Sequence, residues 1–335
     1  MKLRFIWMFV FMAGFVFCEC RHNLPETVND FEMISINRFD SILLRWIETD
    51  DPAILAQVKV RYPQMIEVLG KALFKTSPAD SSAFFRNLIN YYSEPTLLAL
   101  YRDAVNFYST GSPEITGITQ ELSLGFKRMK TLLPAIRIPA IYMHISGLQQ
   151  NMIAGDSLLS CSIDKYMGYD YPLYEDFFYD HQRKSMTPER IAKDYLNARI
   201  KSEYPYTGKD NMLLERMVYE GKIVYLLTQI GKNYTFQNIM SLTGDEYQWC
   251  RKYESVLWST IIERKHLYTP DIAATSKYFQ PAPSTFISAE APGNLGYFIG
   301  YRIVESYMKR TGSTCEELMI NKDAQDVLQK SRYKP

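Results

Sequence analysis

The chain has few cysteines, few histidines, no surplus of either charge and a single long apolar run, and each shortage removes a class of protein. Five cysteines in 335 residues are too few for a disulfide-dense scaffold. Two of them, Cys18 and Cys20, sit together near the N-terminus; Cys161, Cys250 and Cys315 form an odd set best read as free buried thiols, with one disulfide among them as the alternative in an oxidising envelope. Thirty-eight Lys and Arg stand against 37 Asp and Glu, a formal charge of +1, so the basic excess or stripe of a nucleic-acid binder is missing. The four histidines, His22, His144, His181 and His266, are scattered, and no two lie four apart as a zinc-binding helix requires. No phosphate loop, dinucleotide glycine pattern or Cys-x-x-Cys pair occurs, so no cofactor is expected. Ser146, two residues after His144, lacks the flanking glycines of a nucleophile elbow and reads as a turn residue.

What is present is a core-forming composition, 47% hydrophobic and 14% aromatic, enough apolar surface to offset the ordering entropy of a folded body. The N-terminus has Lys2 and Arg4, then an apolar run over 5–17, the layout of a secretory leader. A cysteine directly after that run points to a lipoprotein acylated at Cys18 or Cys20, with Cys18 placed first. The organisation expected is a leader over 1–20, a tether over 21–35 and one domain over 36–335, with a helical N-terminal lobe to about 133 and a C-terminal lobe from 134. No other stretch approaches the ~20 apolar residues of a membrane-spanning helix.

Within the domain the pattern is mostly α, with a small sheet. Helical spacing marks 39–46, 52–61, 66–74, 81–91, 94–108 and 114–133. Branched residues mark a strand over 136–146, with a short partner over 158–163. Thr187-Pro188-Glu189 opens a helix to about 202, and Thr243 with Glu246 forms a capping box opening a helix to about 265. A last long helix is expected from the 290–293 stretch to Gly312, with Gly296 and Gly300 allowing another backbone to approach. The aromatic 166–179 segment (YMGYDYPLYEDFFY) reads as a cover and as the lining of a ligand cleft.

Two carboxylates fall on apolar helix faces. Glu220 shares a stripe with Leu213, Met217 and Val224; Glu254 is flanked by Cys250, Leu257, Trp258 and Ile261. An unpaired buried carboxylate is costly, so each needs a partner, and Arg216, Lys222, Arg251 and Arg302 are the cationic candidates. Glu290 is a third acid, and Tyr219 adjoins Glu220; a polar core of Glu220, Glu254, Glu290, Tyr219, Lys222 and Arg302 is expected. The pattern has the shape of a zinc-peptidase helix without its ligands: with Glu220 as base, the metal positions would be Tyr219 and Ile223, and Ile223 ligates nothing. No metal is expected to bind.

Several motifs in order carry a family resemblance: 145–147 (ISG), 164–171 (DKYMGYDY), 186–191 (MTPERI), 217–222 (MVYEGK), Trp249 with Glu254 and Trp258, 282–283 (AP), 290–296 (EAPGNLG), Gly300 and 331–335 (SRYKP). With these the chain resembles the gliding motility-associated lipoprotein GldB family of Bacteroidetes over about 36–335, with Asn294 where the family often has Arg. The resemblance implies a lipoprotein of the cell envelope, on the periplasmic side, whose partners are the membrane through its lipid and envelope proteins of the gliding and secretion machinery. The family is also similar to a group of predicted zinc peptidases, which implies a zincin-like but degenerate fold with a structural or partner-binding role. The rival expectation is a hydrolase using Glu220, with Glu254, as its catalytic carboxylates. A glycan-binding module, which the 25 tyrosines permit, is a third.

Overall fold

The computed structural model describes residues 32–77, 81–208 and 212–335. The leader, both candidate lipidation cysteines and most of the tether lie outside the described residues. The described chain opens on a strand, β1 (Ile36–Arg38), and six helices follow: α1 (Phe39–Thr49), α2 (Pro52–Arg61), α3 (Pro63–Leu69, continued by a π turn over Gly70–Phe74), α4 (Ser81–Tyr92), α5 (Pro95–Phe107) and α6 (Pro113–Leu132). Their starts follow from local chemistry. Proline is the first helical residue of α2, α5 and α6, where its missing N–H costs nothing, and Asp51, Glu94 and Ser112 each accept a backbone N–H as N-caps.

Strands β2 (Ala140–His144), β3 (Met152–Ala154) and β4 (Leu158–Ser162) complete a sheet of order β1-β2-β4-β3, with β1, β2 and β4 parallel and β3 antiparallel at the edge. The sequence pattern revealed the two central strands; β1 and β3, three residues each, are too short for alternation to show. All five residues of β4 are buried, as befits a strand in a parallel pairing covered on both faces. After β2 the chain turns through Gly147 and Leu148, both at positive φ, and the backbone N–H groups of Ser146 and Leu148 donate to the buried carboxylate of Asp164. Ser146 Oγ accepts from the N–H groups of Gln149 and Gln150, the turn role expected of it.

The C-terminal half contains α7 (Leu173–Phe177), α8 (Asp180–Arg183), α9 (Ile191–Glu203), α10 (Leu213–Ile230), α11 (Phe236–Ile239), α12 (Gly244–Lys252), α13 (Glu254–Glu263), α14 (Ile272–Thr275), α15 (Leu295–Thr311), α16 (Cys315–Ile320) and α17 (Ala324–Ser331). Helix α10 is the central element, with residues buried all round it, packed most extensively on α15. The two cross backbone to backbone at Gly221 and Gly300, where a Cβ on Gly300 would sit 1.8 Å from the Met217 carbonyl oxygen. Gly296, one turn earlier, packs instead against Phe279 and the Tyr278 carbonyl. Cys161, Cys250 and Cys315 are free and buried.

Three expectations are corrected. The single helix over 243–265 is two: the Thr243–Glu246 capping box forms, but the helix breaks at Tyr253 (φ −103°, ψ 15°), so Glu254 begins α13. The last long helix starts at Leu295, because the 281–293 stretch folds back as a loop in which Ser284 N donates to the Ala291 carbonyl and Gly293 lies against Pro281. Two further helices follow it. The helix after Thr187 begins with a 3-10 turn, Pro188–Arg190, before α9.

Candidate functional site

Helix α9 presents a polar stripe to α10. Arg190 just before the helix, then Lys193, Asp194, Asn197 and Lys201 recur at three- and four-residue spacing, and opposite them Glu220, Ile223, Val224 and Leu227 recur at the same spacing on α10. Between these faces lies a cleft of about 270 Å³, closed by His181, Lys184 and Ser185 near α8, by the 239–242 turn with Glu246, and by Phe279, Pro281, Asn294 and Tyr297. Its volume is close to the lower bound, about 300 Å³, of small-ligand sites. The α9 side is polar and charged, and the α10 side is apolar except for Glu220.

Three ion pairs line it. Lys184 Nζ lies 3.1 Å from Glu246, Arg190 Nη2 lies 2.9 Å from Asp194, and Lys201 Nζ lies 2.9 Å from Glu220 Oε2. The Lys201 ammonium approaches both Glu220 oxygens, Oε1 at 3.2 Å and Oε2 at 2.9 Å. The fourth cation, Lys193, has no carboxylate at ion-pair distance; its Nζ lies 5.3 Å from the centre of the Tyr234 ring. Burial, then the neighbouring Arg190 charge, pulls the Lys193 ammonium below its ordinary value.

Glu220 therefore lies where its helical spacing placed it, on an inward face, but its partner is Lys201 from α9. Helix geometry explains why the named candidates on α10 do not serve: Arg216 lies over the Phe279 ring at 4.6 Å, Tyr219 donates to the Tyr204 carbonyl, and the buried Lys222 points the other way, to the Asn321 carbonyl. Burial alone pulls the Lys222 ammonium down to about 8.

Glu254 belongs to a separate cluster. Arg302 Nε donates to its Oε1 at 2.9 Å, the Tyr333 hydroxyl donates to the same oxygen at 2.9 Å, and Arg251 lies 3.6 Å from Oε2. The C-terminal tail is thus pinned to the start of α13, with Trp258 packed edge-on against Tyr333. Glu290 joins neither cluster: it is exposed in the 281–293 loop, because the helix that was to turn it inward begins five residues later. Of the six residues expected in one polar core, Glu220 pairs with Lys201 and Glu254 with Arg302 in separate clusters, while Tyr219, Lys222 and Glu290 join neither.

The 166–179 segment does not line the cleft. Tyr166 and Tyr174 are buried; Tyr166 donates to Asp194 at 2.8 Å, and Tyr174 donates to the Asp164 carbonyl at 2.6 Å and accepts from Met167 N. The segment covers Asp164, and the cleft wall begins just after it, at His181. His144 is buried on β2 with Nδ1 2.7 Å from Ser160 Oγ, and burial holds its imidazole down to about 3. The polar stripe of α9 went unread in the sequence; its 3.6-residue spacing of charges was the available signal.

The donor set around Glu220 does not fit zinc. One turn on are Ile223 and Val224, the group in contact is an ammonium, and among the described residues no three His, Cys, Asp or Glu side chains converge as metal ligands. The family model described as gliding motility protein GldB matches residues 21–335. The chain belongs to the GldB family. Comparison with curated proteins and with solved structures returns no match. Within this GldB-family chain, the resembling motifs fall in several places: MVYEGK supplies Glu220 and the Gly221 crossing, MTPERI supplies Arg190, which pairs with Asp194 in the cleft, and SRYKP supplies Tyr333 at Glu254. Asn294, in left-handed conformation at φ 62°, starts α15 and borders the cleft. No described helix is long and apolar enough to cross a membrane.

Proposed function

We propose that this GldB-family protein is a non-catalytic, lipid-anchored component of the cell envelope that binds a protein partner of the gliding and secretion machinery through the α9–α10 cleft. The observation that supports it is the engagement of Glu220 with Lys201. The Lys201 ammonium lies 2.9 Å from Glu220, so the carboxylate is engaged by a cation of α9 and shapes the wall of the cleft. The lipid is attached at Cys18 or Cys20, and the tether leads to β1.

Two measurements test this. Elemental analysis of residues 21–335, purified without chelator or metal-affinity tag, is expected to give no stoichiometric zinc, and Glu220→Gln is expected only to lower stability. A photo-crosslinking residue at Asn197 or Ser241, both in the cleft wall, is expected to capture one envelope protein in cells, while the same residue at exposed Val60 on α2 does not. Near-stoichiometric zinc that Glu220→Gln removes would overturn the non-catalytic reading. Adducts with no preference for the cleft would overturn the partner reading. Mass spectrometry of the membrane fraction locates the acyl group.

The hydrolase reading retains one favourable observation: Glu220 borders an open cleft. A peptidase screen on the same purified protein decides it. Turnover abolished in a folded Glu220→Gln variant is the result that reading requires.

A further inference from the structure

Helices α15 and α17 end side by side, tied by the Ser306 hydroxyl, which donates to the Ser331 carbonyl at 2.8 Å. Between the two ends opens a hollow of about 620 Å³ lined by Arg310, Thr311, Gln329, Lys330 and Arg332, all exposed, with no carboxylate in the lining. Lys330 is paired with Asp326 at 2.8 Å, whereas among the described residues Arg310 and Arg332 have no carboxylate at ion-pair distance. The tail holds its cations outward by alternation: Ser331 and Tyr333 are buried, the latter on Glu254, and Arg332 and Lys334 are exposed. Nearby acids are engaged in caps. Asp323 accepts from Asp326 N at the far end of α17, and Glu317 accepts from Thr314 N at the start of α16. Against the unpaired cations Lys309, Arg310, Arg332 and Lys334 stand exposed Glu316 and the two helix ends, each end worth about half a negative charge, so a surplus of about two positive charges faces solvent. The whole chain carries only +1, so this surplus is a local concentration.

We infer that this face rests on an anionic lipid surface, the phosphate-bearing headgroups of the leaflet that holds the anchor, as a second membrane contact beside the lipid. The inference rests on the lipid-anchored reading and goes beyond it by orienting the body. From Cys20 to residue 32, where the described body begins, the chain reaches at most about 42 Å fully extended. A compact body of some 300 residues is about 50 Å across. An anchored body is therefore held within its own diameter of the headgroups, and charge decides which face turns to them. Cations gathered on two neighbouring helix ends act together, because the attraction of an anionic surface falls off within a Debye length, about 8 to 10 Å. The exposed guanidinium groups of Arg310 and Arg332 suit phosphate through their paired N–H donors, and Thr311 and Gln329 add hydroxyl and amide donors between them.

The test is co-sedimentation of unacylated protein over residues 21–335 with vesicles of phosphatidylcholine alone or of phosphatidylcholine and phosphatidylglycerol at three to one. Binding is expected to the anionic vesicles only, and to weaken as salt rises from 50 to 200 mM. Replacing Arg310→Gln and Arg332→Gln together is expected to weaken it about tenfold or more. Lys59→Gln with Lys71→Gln, which removes the same charge from exposed positions of the N-terminal half, is expected to leave it within about twofold. Thermal melts establish that both double variants are folded. No binding to anionic vesicles, equal binding to neutral ones, or an equal loss in the two variants overturns the inference. Release by millimolar inorganic phosphate, beyond that caused by chloride of the same ionic strength, would mark a site for a free anion and overturn it too. The acyl group is located by mass spectrometry on the cellular protein, so the anchor reading stands or falls separately from the binding of the unacylated body.

Discussion

Gly300 of α15 lies directly on the backbone of Met217 in α10, with no room for a side chain between the two helices. Any Cβ at Gly300 would overlap the Met217 carbonyl, and the backbone of a central helix cannot yield as a side chain does. Gly300→Ala is therefore expected to cost about 3 kcal/mol, the upper part of the usual range for overpacking. The measurement is a urea midpoint with the slope unchanged. Stability equal to wild type would show that α10 and α15 do not cross at this point.

The hydroxyl of Tyr333 donates to a Glu254 carboxylate that is only 7% exposed. Removing that donor with Tyr333→Phe is expected to cost about 1.5 to 3 kcal/mol, the range for a hydrogen bond to a charged group, and Arg302 keeps the carboxylate paired. A chain ending at residue 332 loses the Trp258 contact as well and is expected to be less stable than the Phe variant. Denaturation that does not distinguish the three proteins would refute the anchoring of the tail.

Lys222 gives a pH signature. Its folded value is about 8, against 10.5 for the free side chain, so between these values the unfolded chain holds a proton that the folded chain has released. Stability then rises with pH across that window, and below pH 8 the full cost of burying the ammonium is present. Relative to Lys222→Met, wild type is expected to gain about 3 kcal/mol between pH 7 and pH 10.5. A difference between the two proteins that is flat with pH would contradict a buried, weakly compensated lysine.

His144 acts on the acid side. Burial holds it at about 3 when folded, against 6.5 when free, so as pH falls from 6.5 toward 3 the unfolded chain takes up a proton and the folded chain does not. Stability contributed by the neutral ring is present above 6.5 and lost through that window, up to roughly 4 kcal/mol. The check is the His144 ring proton resonance, expected to stay constant from pH 7.5 to pH 5 in the folded protein and to titrate in urea. Titration near 6.5 in the folded state would place the ring in solvent.

Helical periodicity and capping chemistry in the sequence were enough to define most of this protein. The six N-terminal helices fall within a few residues of their patterns, the Thr243 capping box forms, and the inward aim of Glu220 follows from its place among Leu213, Met217 and Val224. These are local properties, set by neighbours three or four residues away. The partners of the carboxylates are not local. Lys201 reaches Glu220 across 19 residues, and Tyr333 reaches Glu254 across 79, so only the packing of α9 on α10 and the return of the tail against α13 select them over nearer cations. The β1 strand is likewise fixed by pairing with β2, about a hundred residues away. The cleft arises in the same way, since its lining comes together only when the faces of α9 and α10 are brought opposite each other.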